Sequence, residues 1–68
     1  LQKNLSMIIQ TGISEGEIRG DVDADLYARR IFSMVEGGIF MSTILKDKTY
    51  MEDLTKAIDN LIQQELKQ

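Results

Sequence analysis

The groups in this chain best placed to do chemistry are its carboxylates, because it contains no histidine and no cysteine. Glu15 and Glu17 straddle a predicted turn, and Asp21, Asp23 and Asp25 alternate at the start of a predicted helix. Oxygen ligands grouped in this way suit a divalent cation. Their spacing lacks the central Gly and the terminal bidentate Glu of a calcium loop, so helix capping and solvation account for them better. Without His and Cys, the usual zinc sites and disulfides are also gone. A hydrolase built here would depend on carboxylates, Lys, Ser or Tyr alone. No Ser stands with a paired base, and neither a phosphate-binding loop nor a dinucleotide fingerprint occurs. The expectation is no catalytic residue, no metal and no cofactor: this is not an enzyme.

Charge and length narrow the class. The net charge is -3, from eleven acidic and eight basic residues. Apart from Arg29 and Arg30 the basic residues are scattered singly, whereas a nucleic-acid reader shows a basic face that displaces counterions from phosphates. Contact with DNA or RNA by these residues is not expected. No apolar run reaches the length of a membrane span, and the first ten residues lack the basic start and apolar block of a signal peptide. The absence of cysteine fits a reducing compartment, so the expected location is cytoplasmic, with no membrane partner. At 68 residues the chain is expected to be a single partial domain, 1–68. It starts at Leu1 without an initiator Met, which reads as a processed product or an excised piece. A core this small rarely supplies more than about 3–5 kcal/mol, and with disulfides and metals excluded, oligomerisation is the remaining support.

The elements that must position these groups are helices. Leu1, Leu5, Ile8, Ile9 and Gly12 share one face of a helix expected at about 1–15. Gly16 is a suitable left-handed terminator, and Gly12 is an earlier alternative. Ile18 is the apolar anchor of the connection that follows. Asp23 is the best N-cap for a long second helix at about 24–46, with Asp25 adding charge near its positive end, Val22 and Tyr27 as a hydrophobic staple, and Lys46 and Lys48 near its negative end. A third helix is expected at about 50–66. Thr49 and Glu52 form its capping box, and Leu54, Ala57, Ile58, Leu61, Ile62 and Glu65 line one side. The short connection between the last two helices favours an antiparallel hairpin. The fold class is all-α, with three antiparallel-type helices.

The second helix carries more apolar surface than two neighbours can cover. At about 100° per residue, Tyr27, Ala28, Ile31, Phe32, Met34, Val35, Gly38, Ile39, Met41 and Leu45 span roughly half its circumference. Leu26, Phe40 and Ile44 fall outside that arc, and Phe40, on an otherwise polar stripe, reads as a partner contact. A helix apolar on more than one face sits between several neighbours, so a second copy or further chain must supply the rest. Glu36, Gly37 and Gly38 interrupt the middle of this helix, where each Gly costs about 1 kcal/mol relative to Ala. Ala24, Ala28, Gly38 and Ser42 form a small-residue line that admits a close helix. Simple tolerance of the glycines and contact with a ligand remain open beside that reading. Met7, Met34, Met41 and Met51, with the aromatic residues, could line an adaptable pocket, although ordinary core explains residues at helical spacing better.

The run Gly16-Glu17-Ile18-Arg19-Gly20-Asp21-Val22-Asp23, followed by Ala28 and then by Glu36-Gly37-Gly38, resembles the C-terminal regulatory region of TetR-type bacterial transcriptional repressors. The three-helix layout matches over nearly the whole chain, and the helix-turn-helix of that family is absent. The resemblance implies that the last two helices pair with those of a second copy in a four-helix dimer interface. Its residues here would be Gly37, Phe40, Met41, Ile44 and Leu45, with Leu54, Ile58, Leu61 and Ile62. It also implies a pocket for an unknown small apolar effector, facing Ile8, Ile9, Tyr27, Ile31 and Met34, and operator DNA as a partner only through an N-terminal part. The expected function is therefore the homodimerising, effector-sensing C-terminal part of a repressor. A free-standing helical adaptor that dimerises without sensing is the alternative, and a subunit of a larger enzyme is a more distant one.

Overall fold

The computed structural model describes residues 2–68; the expected helix start at Leu1, and that residue's place on the apolar face, lie outside them. Three α-helices follow in order: α1 at Gln2–Ser14, α2 at Ala24–Leu45 and α3 at Thr49–Leu61. A single π-helical turn at Ile62–Leu66 continues α3.

α1 turns Ile9 into the core and half-buries Leu5 and Ile13 beside it. It ends at Gly16 rather than at Gly12. Gly16 takes φ +78°, the left-handed conformation that its missing Cβ permits. Its amide donates to the Ile13 carbonyl at 3.1 Å, and the Glu17 amide donates to the Gly12 carbonyl at 2.9 Å. This pair of bonds is the Schellman arrangement. Gly12 has a separate role, since a Cβ placed there would lie 2.6 Å from Ile18 Cδ1. The missing side chain lets Ile18 fold back over the end of α1, where it packs against the core as the anchor of the connection.

Asp23 caps α2 as expected, its carboxylate accepting from the Leu26 amide at 3.2 Å. Val22 and Tyr27, the expected staple, are both half-buried against the core. At the far end Lys46 adopts the left-handed conformation at φ 51°, and its amide donates to the Ser42 carbonyl. The Asp47 amide donates to the same carbonyl at 3.2 Å.

Two expectations for the third helix need correction. Thr49 is its first helical residue and not its N-cap; Lys48 holds the cap position and makes no side-chain cap bond. The capping acceptor is Asp47, which takes the Thr49 amide at 2.9 Å and the Thr49 hydroxyl at 2.7 Å. A carboxylate is the stronger acceptor, and the left-handed Lys46 turn delivers it to the open helix end. The bonds to Thr49 hold the Asp47 carboxyl below its ordinary range.

The second correction concerns the end of that helix, expected to stay regular to residue 66. After Leu61 the backbone widens, and the Lys67 amide reaches back five residues to the Ile62 carbonyl at 2.8 Å. Each residue of a wider turn advances through a smaller angle than in an α-helix, which brings Leu66 round to the core, where it is 2% exposed. The connection between α1 and α2 fixes this tail. The Arg19 amide donates to the Leu66 carbonyl at 2.8 Å and the Gln68 amide to the Glu17 carbonyl at 3.1 Å. Ile18 and Lys67 thus form one antiparallel bridge pair in an otherwise helical chain.

α1 and α3 both pack against α2 and not against each other. α3 runs antiparallel to α2: their linked ends meet at Lys46–Lys48, while the Tyr27 hydroxyl near the start of α2 donates to Glu65 at 2.8 Å. The result is a thin body whose Cα extents are 39 × 22 × 14 Å. Among the described residues the buried apolar ones are Ile9, Ala24, Ala28, Ile31 and Leu66. Two of these five are alanines, so the core is as slight as the chain length implied. Ser6 is the buried polar residue, and its hydroxyl donates to Asp25 at 2.5 Å, tying α1 to the first turn of α2.

Candidate interaction surfaces

The small-residue line on α2 works inside the chain. Ala24 and Ala28 are buried, and a Cβ added to Gly38 would stand 2.7 Å from Leu54 Cδ2 and 3.4 Å from Leu54 Cβ. α3 therefore seats Leu54 against the backbone of Gly38, the close-approach reading of that glycine. Gly37, one residue earlier, faces open space with no neighbour within 4 Å of its absent Cβ. The two adjacent glycines look in different directions.

Beyond Gly38 one side of the helix is exposed. Phe40 is 61% exposed, Ile44 60%, Leu45 51% and Met41 37%. Their spacing of three and four residues, counted from Gly37, places all five on one side of α2. Of the α3 residues expected to share an interface, Leu54, Ile58 and Leu61 are half-buried, with Ile58 and Leu61 packed against the core. Ile62 is exposed and borders a separate hollow lined by Gly16, Glu17, Ile18, Lys67 and Gln68.

A second surface lies between α1 and α2. Leu5, Ile8, Ile31, Phe32 and Val35 line an open groove of about 320 Å³, with Asn4 and Glu36 at its polar border. Of the expected pocket residues, the structure brings Ile8 and Ile31 together here. Ile9 is spent in the core at 3% exposure, and Met34 is half-buried elsewhere on α2. Tyr27 is also elsewhere, holding Glu65 through its hydroxyl while Arg30 lies over its ring at 5.3 Å. The bond to Glu65 raises the phenol's pKa above its ordinary value, because ionising Tyr27 would lose a donor and face a carboxylate. Leu5, Phe32, Val35, Asn4 and Glu36 join Ile8 and Ile31 in the groove and were not among the residues that the resemblance implied. Leu5 and Ile8 on α1, with Phe32, Val35 and Glu36 on α2, carry the three- and four-residue spacing that could have marked the two walls.

Among the described residues, no group of three or more acidic, His or Cys side chains is placed to hold a metal, and no helix is long and apolar enough to cross a membrane. The region is all-α, with a thin core, an open groove between α1 and α2 and an exposed apolar side on α2.

Comparison with known proteins gives it a family. Residues 1–58 match the family described as the tetracyclin repressor-like, C-terminal domain, and the chain belongs to that family of transcriptional regulators. The structure is also similar to a TetR transcriptional regulator from Chloroflexus aurantiacus, with a TM-score of 0.89 and 33% identity. That alignment covers 97% of this chain and 33% of the other, so the chain spans about a third of that regulator's length. No curated protein matches. The family is one of regulatory proteins.

Proposed function

We propose that residues 1–68 are part of the C-terminal domain of a TetR-type transcriptional repressor, where they join two copies and take part in sensing a small effector. The carrying observation is the uncovered side of α2. Phe40, Met41, Ile44 and Leu45 are exposed together on one helix that is well ordered by packing at its other end. Burying one such side chain contributes about 1.5–3 kcal/mol. A second copy meeting this side around a two-fold axis would count every contact twice. Gly37, at the start of this side, would let the two α2 helices approach closely, and the exposed edge of α3 would complete four helices.

The groove between α1 and α2 is the proposed effector contact. Its volume is at the lower end of the roughly 300–1,000 Å³ typical of small-molecule sites, and its wall is mostly apolar. An effector held there would bear on α1 and on the middle of α2 at once. If it bound one relative placement of these helices better than another, it would shift the population between DNA-competent and DNA-released dimers. Operator contact would belong to a helix-turn-helix outside these residues.

Sedimentation equilibrium of the intact protein tests the first half of this proposal. The expected result is a dimer at micromolar concentration that Ile44→Glu converts to folded monomer. A folded wild-type monomer at that concentration would overturn it and favour an adaptor that receives a different helix.

A further inference from the structure

We infer that the groove between α1 and α2 selects an amphipathic organic cation, an apolar body carrying one positive group; the inference rests on the effector reading above and names the class of ligand. The wall formed by Leu5, Ile8, Ile31, Phe32 and Val35 offers no charge. Glu36 is the charged residue among the lining groups, and Asn4 is the other polar one. Glu36 stands one helical turn beyond Phe32 on the same side of α2, so carboxylate and aromatic ring border the same end of the groove.

Among the described residues the Glu36 carboxylate has no salt-bridge partner. The ion pair among the described residues joins Arg19 to Asp21, at the connection, and neither Lys3 next to Asn4 nor Arg29 two turns before Glu36 pairs with it. A ligand cation placed over Phe32 would gain the attraction of the ring face and of the carboxylate together. An anion there would meet Glu36 directly, on a chain whose net charge is already -3. The apolar wall supplies affinity for any hydrophobic body of the right size, and Glu36 supplies the sign.

Three probes of nearly equal shape separate these contributions: benzyltrimethylammonium, its uncharged carbon isostere neopentylbenzene, and benzylsulfonate. Each is titrated into the intact protein while the methyl resonances of Leu5, Ile8, Ile31 and Val35 are followed. The expected order of affinity is cation, then neutral body, then anion. Glu36→Gln, a change at an exposed position, is expected to weaken the cation about fivefold, the scale of a solvent-exposed charge pair, and to leave the neutral body unchanged. Equal binding of cation and neutral body, or a cation affinity indifferent to Glu36→Gln, would overturn the cation assignment while leaving the groove as an effector site. Failure of all three probes to move these methyl groups would overturn both.

Discussion

Residues 24–35 of α2 include buried Ala24, Ala28 and Ile31 and half-buried Tyr27, Phe32, Met34 and Val35, whereas residues 36–45 hold no buried residue and leave Ile39, Phe40, Met41, Ile44 and Leu45 exposed. Composition does not separate these halves, since both are rich in large apolar side chains. Neighbours do. The first half lies against α1, the connection anchored by Ile18 and the π-helical turn that inserts Leu66; the second borders the α1 groove at Glu36 and meets α3 on its Gly38 side. One continuous helix thus places the fold's own core in its first half and an exposed apolar face in its second. An exposed apolar group on so thin a body is the observation on which the proposed pairing of two copies rests.

The sharpest way to break this comparison is to make the same substitution in both halves. Ile31→Glu puts a carboxylate where the side chain is 8% exposed. Such a change costs about 4 kcal/mol or more, comparable to the whole stability expected of a core this small. Loss of the helical circular-dichroism signal is the expected outcome. Ile44→Glu leaves the protomer's core untouched, since Ile44 is 60% exposed. Its effect falls on association: two copies of a lost contact amount to about 3–6 kcal/mol, a weakening of a hundredfold or more in the dimer constant. Equal melting of both variants at high protein concentration would show that the halves are not separable.

Gly38 offers the next contrast. Gly38→Leu would drive a side chain into Leu54, whose Cβ and Cγ both lie 3.4 Å from the position of an added Cβ. Over-packing of this kind costs about 1–3 kcal/mol. Ser33→Leu, on an exposed position of the same helix, should stay within about 0.5 kcal/mol. Chemical denaturation of the two variants should give well-separated midpoints; coincident midpoints would remove Gly38 from the helix contact.

How far all this could be read from the chain follows from where local rules govern. Asp23 as cap, Gly16 as terminator and the all-α class are decided by a residue and its immediate neighbours, and they stand as expected. The capping box failed because Asp47, two residues before Thr49, competes for the same open helix end once Lys46 turns left-handed. Leu66 was invisible to a 100° reading because its burial depends on a π-helical turn held by the remote residues 17–19. The groove was half legible. Ile8 and Ile31 lie on faces that periodicity identifies, but the choice of Phe32 and Val35 over Tyr27 and Met34 depends on where α1 crosses α2. Tyr27 was drawn away by Glu65, a partner 38 residues distant.

A smaller effect distinguishes the two glycines. Gly37→Ala meets nothing within 4 Å in the protomer, so it should recover most of the roughly 1 kcal/mol that Gly forfeits in a helix. If Gly37 lies where two α2 helices cross, the same methyl should weaken the dimer while the isolated protomer becomes more stable. Melting measured at low and at high concentration would show the gain at one and a loss at the other. A uniform gain would place the helix crossing away from Gly37.

The smallest expected effect lies at the far end of the exposed half, where α2 stops. Lys46 holds φ 51°, a conformation that costs a residue with a Cβ about 1–2 kcal/mol and costs glycine almost nothing. Lys46→Gly should relieve that strain while keeping the two amide bonds to the Ser42 carbonyl, since both come from the backbone. Against the gain stand the greater freedom of glycine in the unfolded chain and the loss of a cation beside the negative helix end. The net expectation is about 0.5 kcal/mol of stabilisation, or roughly 2–4 °C in Tm for a chain this short. Dimer affinity should not change, because the gain arises in the backbone of the turn and not on the Phe40 side of the helix. A rise in Tm without a change in association would separate the turn that ends α2 from the face that α2 presents; a change in both would make that turn part of the interface.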